Sequence, residues 1–323
     1  MYEPENRLNL EPFAEKTAAV RQEMEKYIVG QDNLITLLLT ALISNGHVLI
    51  EGVPGVAKTQ TARLLARVVD TGFKRIQFTP DLLPSDITGT AVYNNKTSSF
   101  SFHRGPLFTN LVLADEINRA PAKTQAALFE AMEERQITVD GTTYTLDKPF
   151  MVLATQNPVD LEGTYRLPEA QIDRFLFKII VDYPSQDEET EIINRHNKRG
   201  GNIDIDKISP VIKNSELLEM QVLARQVFVH PNIIGYIAAI VSGTRNNPVF
   251  YLGASPRASI AILESAKTFA AINGRDFITP DDVKFTAPYV LNHRVLLSPE
   301  KEIAGGETAN YIEDVINAVE IPK

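Results

Sequence analysis

Two short segments hold the residues best equipped for chemistry: Gly52-Val53-Pro54-Gly55-Val56-Ala57-Lys58-Thr59 and, further along, Leu111-Val112-Leu113-Ala114-Asp115-Glu116. A glycine-bearing turn at a helix start presents backbone N–H groups to phosphate oxygens, and the helix dipole there favours negative charge. Lys58 is placed to reach the terminal phosphates, with Gln60 just beyond it, and the Thr59 hydroxyl to ligate magnesium, a cation that takes oxygen ligands. Asp115 would hold that magnesium through water, and Glu116 would polarise the water that attacks the γ-phosphate of ATP. Each segment alone has a plainer reading, a strand-to-helix turn for the first and a solvated acidic turn for the second. Together they favour ATP chemistry, because ligands of open parallel sheets bind at the C-terminal strand edge, where both would lie. Pro54 stiffens the loop. Ala57 replaces the usual glycine before the lysine, so the backbone there is expected to suit a residue with a Cβ.

The elements that must position these residues can be read from periodicity. An apolar strand over 47–51 precedes the loop, and the helix after it puts Ala62, Leu65, Ala66 and Val69 on one face. Short apolar runs at 75–79, 111–115, 150–155 and 176–181 suit a sheet covered on both faces. The expected fold class is therefore α/β: a five-stranded parallel sheet, then mostly helices. Proline in Tyr183-Pro184-Ser185 stops the last strand, and Ser185 with Glu188 makes a capping box. The division expected is an α/β nucleotide-binding core with N-terminal helices over 1–184 and a helical domain over 185–323. Within the second, Arg199-Gly200-Gly201-Asn202 is a break, and Thr279-Pro280-Asp281 starts a helix with a threonine cap and an N1 proline. The apolar stretch 34–43 reads as a packed helix closed by a glycine cap, too short and too interrupted by Thr36 and Thr40 to span a bilayer. Two hairpins interrupt the sheet pattern. One turns at Asp140-Gly141; the other runs over 89–103, with Asn94-Asn95-Lys96 at its tip and Phe100 and Phe102 on one side.

Composition narrows the function classes. The 323 residues are 44% hydrophobic, enough for substantial cores. A net charge of -9 gives no electrostatic footprint for nonspecific nucleic-acid binding. No cysteine is present, which excludes disulfides and thiolate metal sites and fits a reducing compartment. The five histidines, His47, His103, His196, His230 and His293, match no metal spacing and read as core or surface residues. Met1-Tyr2-Glu3-Pro4-Glu5 lacks the basic start and apolar core of a secretory signal, so a cytoplasmic location without direct membrane insertion is expected.

The loop, the run Asp115-Glu116-Ile117-Asn118-Arg119-Ala120-Pro121, Ala154-Thr155-Gln156-Asn157-Pro158 and Leu167-Pro168-Glu169-Ala170-Gln171-Ile172-Asp173-Arg174-Phe175 closely resemble the MoxR family of AAA+ ATPases. The resemblance runs from Val29-Gly30-Gln31 through Leu83-Pro84-Ser85-Asp86-Ile87-Thr88-Gly89 to Gly253-Ala254-Ser255-Pro256-Arg257-Ala258, nearly the whole chain, and the family often carries alanine at the position of Ala57. It implies a P-loop NTPase AAA+ core with a helical lid, and a nucleotide site at the subunit boundary of a homo-oligomeric ring, a hexamer. Asn157 would be sensor 1, Arg174 an arginine finger reaching a neighbour's γ-phosphate, and Arg257 sensor 2, in its own subunit or across the boundary. Val29, Gly30 and Gln31 would line the adenine pocket, and Arg166 would sit near the interface. The hairpins resemble the helix-2 insert and presensor-1 hairpin of the branch shared with magnesium chelatases and MCM helicases. The implied function is chaperone-like remodelling, maturation or metal insertion of partner proteins with von Willebrand factor A domains. The alternatives are a nucleic-acid motor, which the acidic balance opposes, and a non-hydrolytic ATP-gated scaffold, which the Asp115-Glu116 pair with Asn157 opposes.

Overall fold

The computed structural model describes residues 7–53, 55–96, 98–157, 165, 167–199 and 205–322. Pro54, Pro158, Gly163, Thr164, Arg166, the Gly200-Gly201-Asn202 break and the five residues from Met1 to Glu5 lie outside that set.

Helices α1 (Glu11–Glu25) and α2 (Asp32–Ile43) lead into β1 (Val48–Gly52), α3 (Lys58–Val68), β2 (Phe73–Gln77) and the short α4 (Pro84–Thr88). The hairpin β3 (Gly89–Asn94) and β4 (Ser99–Arg104) follows, then β5 (Leu111–Asp115) and α5 (Ala122–Glu134). After the hairpin β6 (Gln136–Val139) and β7 (Thr142–Thr145) come β8 (Met151–Gln156), α6 (Glu169–Ile172) and β9 (Phe177–Val181). Helices then dominate: α7 (Gln186–Arg199), α8 (Asn214–Arg225), α9 (Pro231–Asn246), α10 (Pro256–Ile272), α11 (Pro280–Leu291), α12 (Pro299–Ile303) and α13 (Thr308–Ala318). A small ribbon pairs β10 (Phe250–Leu252) with β11 (Leu296–Leu297).

The parallel sheet has the order β2-β5-β8-β1-β9. Its interior strands are apolar on both faces because both are covered. Leu49, Val112, Ala114, Val152 and Ala154 pack with Leu128, Phe129 and Met132 of α5. On the opposite face, Val48, Ile50, Leu111, Leu113 and Leu153 share a core with α2 and α3, where the face of Ala62, Leu65, Ala66 and Val69 is buried as its spacing predicts. The strand expected over 75–79 lies two residues earlier. Phe78 still donates its amide to the Asp115 carbonyl at 2.9 Å, but its ring is buried in the α5-side core and the chain turns away.

The cap closing α2 corrects the expectation of a glycine. Asn45 takes the left-handed conformation, φ +59°, and Gly46 follows it, donating to Ala41 O at 2.8 Å. Asparagine tolerates that conformation, and Gly46 is needed for another reason: a Cβ there would sit 2.6 Å from Leu176. Thr36 and Thr40 are tolerated inside the helix because their hydroxyls donate to Asp32 O and Thr36 O at 2.8 Å.

Both expected hairpins are present. Asp140 and Gly141 have φ +49° and +76°, the doubly positive pattern a two-residue turn requires. The ribbons touch, since the Phe102 ring stacks on Tyr144 at 4.3 Å and Phe108 meets both rings edge-on.

The later helices are bound to the sheet by Arg294, just past α11. Its guanidinium donates to the carbonyls of Asp173, Phe175 and Leu176 and meets Asp173 Oδ1 at 2.7 Å. Burial pulls its pKa down and Asp173 opposes the shift, so the buried charge keeps a full set of acceptors. The predicted caps are found, Ser185 with Glu188 before α7 and Thr279 with Asp282 before α11. Among the described residues no helix is long and apolar enough to cross a membrane.

Candidate nucleotide-hydrolysis site

The loop between β1 and α3 is shaped by close approaches and positive φ angles. Gly52 ends β1 where a Cβ would lie 2.4 Å from Val181 O of the neighbouring β9. Gly55 has φ +90°, and a Cβ there would meet nothing within 4 Å, so the loop opens toward free space at that point. Ala57 overturns the expectation that its backbone suits a side chain: its φ of +57° is left-handed, a conformation that costs a residue with a Cβ roughly 1–2 kcal/mol. Two buried turns of α3 over-determine that geometry, with Thr61 N–H donating to Ala57 O at 2.9 Å.

Lys58 opens α3, and its ammonium donates to Gly52 O at 2.6 Å. Partial burial lowers its pKa, while Asp115, Glu116 and Glu51 raise it, so the cation sits among three carboxylates. Glu51 is itself paired with Lys178. Thr59 and Gln60 follow within the first turn of α3.

Val29, Gly30 and Gln31 meet Gly55, Val56, Ala57 and Gln60 around a cavity of about 400 Å³, also walled by Ile180, Tyr183 and Ile192. Gln31 does more than line it. Its amide donates to Val56 O at 2.9 Å and its carbonyl accepts from the Thr61 hydroxyl at 3.4 Å, bracing the loop against α3. Gly30, at φ +71°, leaves the space that the Glu188 carboxylate occupies.

The acids come from β5. Because parallel strands in register carry paired residues on one face, Gln77 of β2 stands beside Asp115, and Thr155 of β8 flanks it on the other side. The Thr155 hydroxyl donates to Asp115 Oδ1 at 2.5 Å and accepts the Glu116 amide at 2.9 Å. Arg75 meets Asp115 Oδ2 through Nε and a terminal nitrogen at 2.9 and 2.6 Å. The Glu116 carboxylate receives the Gln77 amide at 2.8 Å and lies 3.3 Å from Arg119. Glu116 also holds a left-handed backbone, φ +56°, which turns its side chain out of the strand direction. Arg75, Gln77, Thr155 and Arg119 were not found by sequence reasoning. No local signal marked them, since β2 reads Phe73-Lys74-Arg75-Ile76-Gln77 and only its register against β5 brings Arg75 and Gln77 to the acids.

Three other expected site residues take different positions. Asn157 directly follows β8, next to the strand end that carries Thr155. Arg174 donates to Phe129 O at 2.7 Å and pairs with Glu133 on α5 at 3.0 Å, so within one chain it engages its own carboxylate. Arg257, in the first turn of α10, is 3.7 Å from Asp173, beside Arg174. Arg174 thus faces α5, whereas Arg257 faces Asp173 together with Arg294.

The donor set fits nucleotide with a hard cation: a half-buried lysine among carboxylates, an open glycine turn at a helix start, and oxygen ligands from Thr59 and Asp115. Among the described residues no cluster of three His, Cys, Asp or Glu side chains is arranged to hold a metal alone. A cation here would have to share its ligands with phosphate and water. His47 is a core residue: Nε2 donates to Met132 O, Nδ1 accepts the Val152 amide, and burial lowers its pKa to about 3.

Residues 47–177 match the family model of the ATPase family associated with various cellular activities (AAA), and residues 242–315 match that of the AAA lid domain. The Bacillus subtilis (strain 168) protein YeaC is 46% identical over 301 residues, covering 93% of each chain. Chaperone MoxR1 of Mycobacterium tuberculosis is 44% identical over 310 residues, 93% of this chain and 81% of that one. A crystal structure from Cytophaga hutchinsonii, assigned as an ATPase, superposes with TM-score 0.86 at 41% identity, covering 97% of this chain and 99% of the other.

Proposed function

This chain is an ATPase that belongs to the MoxR family of AAA+ proteins, and we propose that it uses ATP hydrolysis for chaperone-like remodelling of partner proteins. The partners we propose carry von Willebrand factor A domains, and the outcome is their maturation or metal insertion, in the cytoplasm. A relative named as a chaperone, at 44% identity, supports the remodelling part of this reading.

The single observation that carries the site assignment is the position of Lys58 under the combined field of Asp115 and Glu116. In this reading residues 52–60 cradle the phosphates, Lys58 neutralises their charge, and Val29, Gly30 and Gln31 border the base. Thr59 and Asp115 would hold magnesium, which when bound neutralises charge building on the phosphate oxygens. Glu116 accepts the proton of the attacking water, and Asn157 orients that water. Residues 1–184 form the catalytic core and 185–323 the lid.

Arg174 acts on a neighbour's nucleotide in a hexameric ring, and Arg257 serves as sensor 2, in its own subunit or across the boundary. Binding between subunits would draw lid and core together, and hydrolysis would release them, moving the two hairpins.

The test uses Glu116→Gln protein, loaded with ATP and mixed with extracts containing von Willebrand factor A domain proteins. Nucleotide retention, absent phosphate release and ATP-dependent capture of such a protein support the reading. Wild-type phosphate release from this variant, or capture that ignores nucleotide, refutes it.

A further inference from the structure

We infer that Arg75 is a positioning residue that couples the cation-facing carboxylate to the glutamate acting on water, through the chain Asp115–Arg75–Gln77–Glu116. The inference rests on the nucleotide-site reading above.

Four contacts define the chain. Arg75 places two donors on Asp115 Oδ2, at 2.9 and 2.6 Å, and the same terminal nitrogen donates to Gln77 Oε1 at 2.7 Å. With its carbonyl fixed in this way, the Gln77 amide can only turn its NH2 toward Glu116, which accepts it at 2.8 Å. The glutamate is thereby occupied. Arg75 is on β2, the edge of the sheet, and its side chain is 49% exposed, whereas Asp115 is 14% exposed and stays fixed by Thr155. The arginine is the member of the pair free to leave.

A dication held by Asp115, through water, would compete with the guanidinium for the charge of the same carboxylate. Once Arg75 withdraws, the Gln77 carbonyl loses its anchor, the amide is free to rotate, and Glu116 keeps only the longer contact to Arg119 at 3.3 Å. Cation arrival and availability of the glutamate become one event, so that water is not activated before the site is loaded.

The test uses full-length protein with saturating ADP and Mn2+ as a paramagnetic probe, free Mn2+ being read by electron paramagnetic resonance. Removing the competing charge in Arg75→Ala should lower the half-saturating Mn2+ concentration about three- to tenfold, the scale for a unit charge beside a dication in a hydrated site. Arg75→Lys should fall between the two, and the gain should vanish in an Asp115→Asn background. In turnover, Gln77→Ala should alter the wild-type rate yet add nothing to Arg75→Ala, since both cut the same chain.

Unchanged or weaker Mn2+ uptake by Arg75→Ala, with wild-type melting and wild-type ADP affinity in EDTA, overturns the inference, as do independent, multiplying effects of the two substitutions on turnover. A wild-type protein that retains no ADP, or Asp115→Asn protein with unaltered Mn2+ uptake, overturns the site reading itself and the inference with it.

Discussion

Arg174 engages Glu133 of its own chain, Nε to Oε2 at 3.0 Å, while a second nitrogen donates to Phe129 O at 2.7 Å. A finger that serves a neighbour must give up this carboxylate, which costs little for an exposed pair. If it does so, Arg174→Ala should lose about a thousandfold in turnover with ATP binding retained. Mixing Arg174→Ala with Glu116→Gln, each inactive alone, should recover measurable phosphate release, because some interfaces then combine an intact glutamate with an intact arginine. No recovery in mixed assemblies would place Arg174 in its own subunit's chemistry.

Ala57 carries a left-handed backbone that glycine adopts without steric cost. Ala57→Gly should therefore stabilise the protein, by up to about 1 kcal/mol, less whatever glycine adds to unfolded-state entropy. Ala57→Val should destabilise it by more than 1 kcal/mol, roughly, because a β-branched side chain tolerates that region worst. Denaturant titration of both variants checks the sign.

Thr155 serves two neighbours with one hydroxyl, so Thr155→Val should remove support from both. The Glu116 amide would be left without its acceptor, at a cost of about 1–3 kcal/mol in stability. Asp115 and Glu116 would lose their fixed positions, and turnover should fall by about tenfold to a hundredfold. Thr155→Ser keeps the hydroxyl and should recover most of the rate, as steady-state kinetics would register.

His47 gives the protein an acid-side weakness. Its pKa in the folded chain is about 3, held down by burial and by Arg135, against 6.5 for the free side chain. Below pH 6.5 the unfolded chain takes up a proton that the folded chain refuses, so this residue's contribution to stability is complete above that pH and shrinks as pH falls toward 3. The slope is about 1.4 kcal/mol per pH unit. His293 is held down likewise by burial and by Arg294, so thermal unfolding measured between pH 7 and 5 should show both, and His47→Gln should remove only its own share of the dependence.

Contiguous chemistry was legible in the sequence and convergent chemistry was not. The loop at Lys58 and the pair Asp115-Glu116 are written in consecutive residues, and the interior strands β1, β5 and β8 declare themselves by apolar runs. Arg75, Gln77 and Thr155 reach the same acids only through strand register, which no local pattern encodes. The strand at 73–77 was misplaced by two residues because Phe78 continues the apolar count and shares a core with Ile76, although the chain has already left the ladder. Ala57 was misjudged for a related reason: residue type reports what a backbone prefers, whereas the packing of α3 decides what it must accept. Turn chemistry was more transparent, since Asp140-Gly141 and Thr279-Pro280 act through their own dihedral preferences.

Phe102 lies flat against Tyr144, and Phe108 closes on both rings, so the β3–β4 and β6–β7 ribbons are bonded along an aromatic seam. Separate hairpins would each bend at their own base, but sideways load on either tip is here carried into both roots, one beside α4 and the other beside α5. The pair is a single stiff prong with two footings, and a substitution that splits the seam, such as Tyr144→Ala, would leave two limp ones.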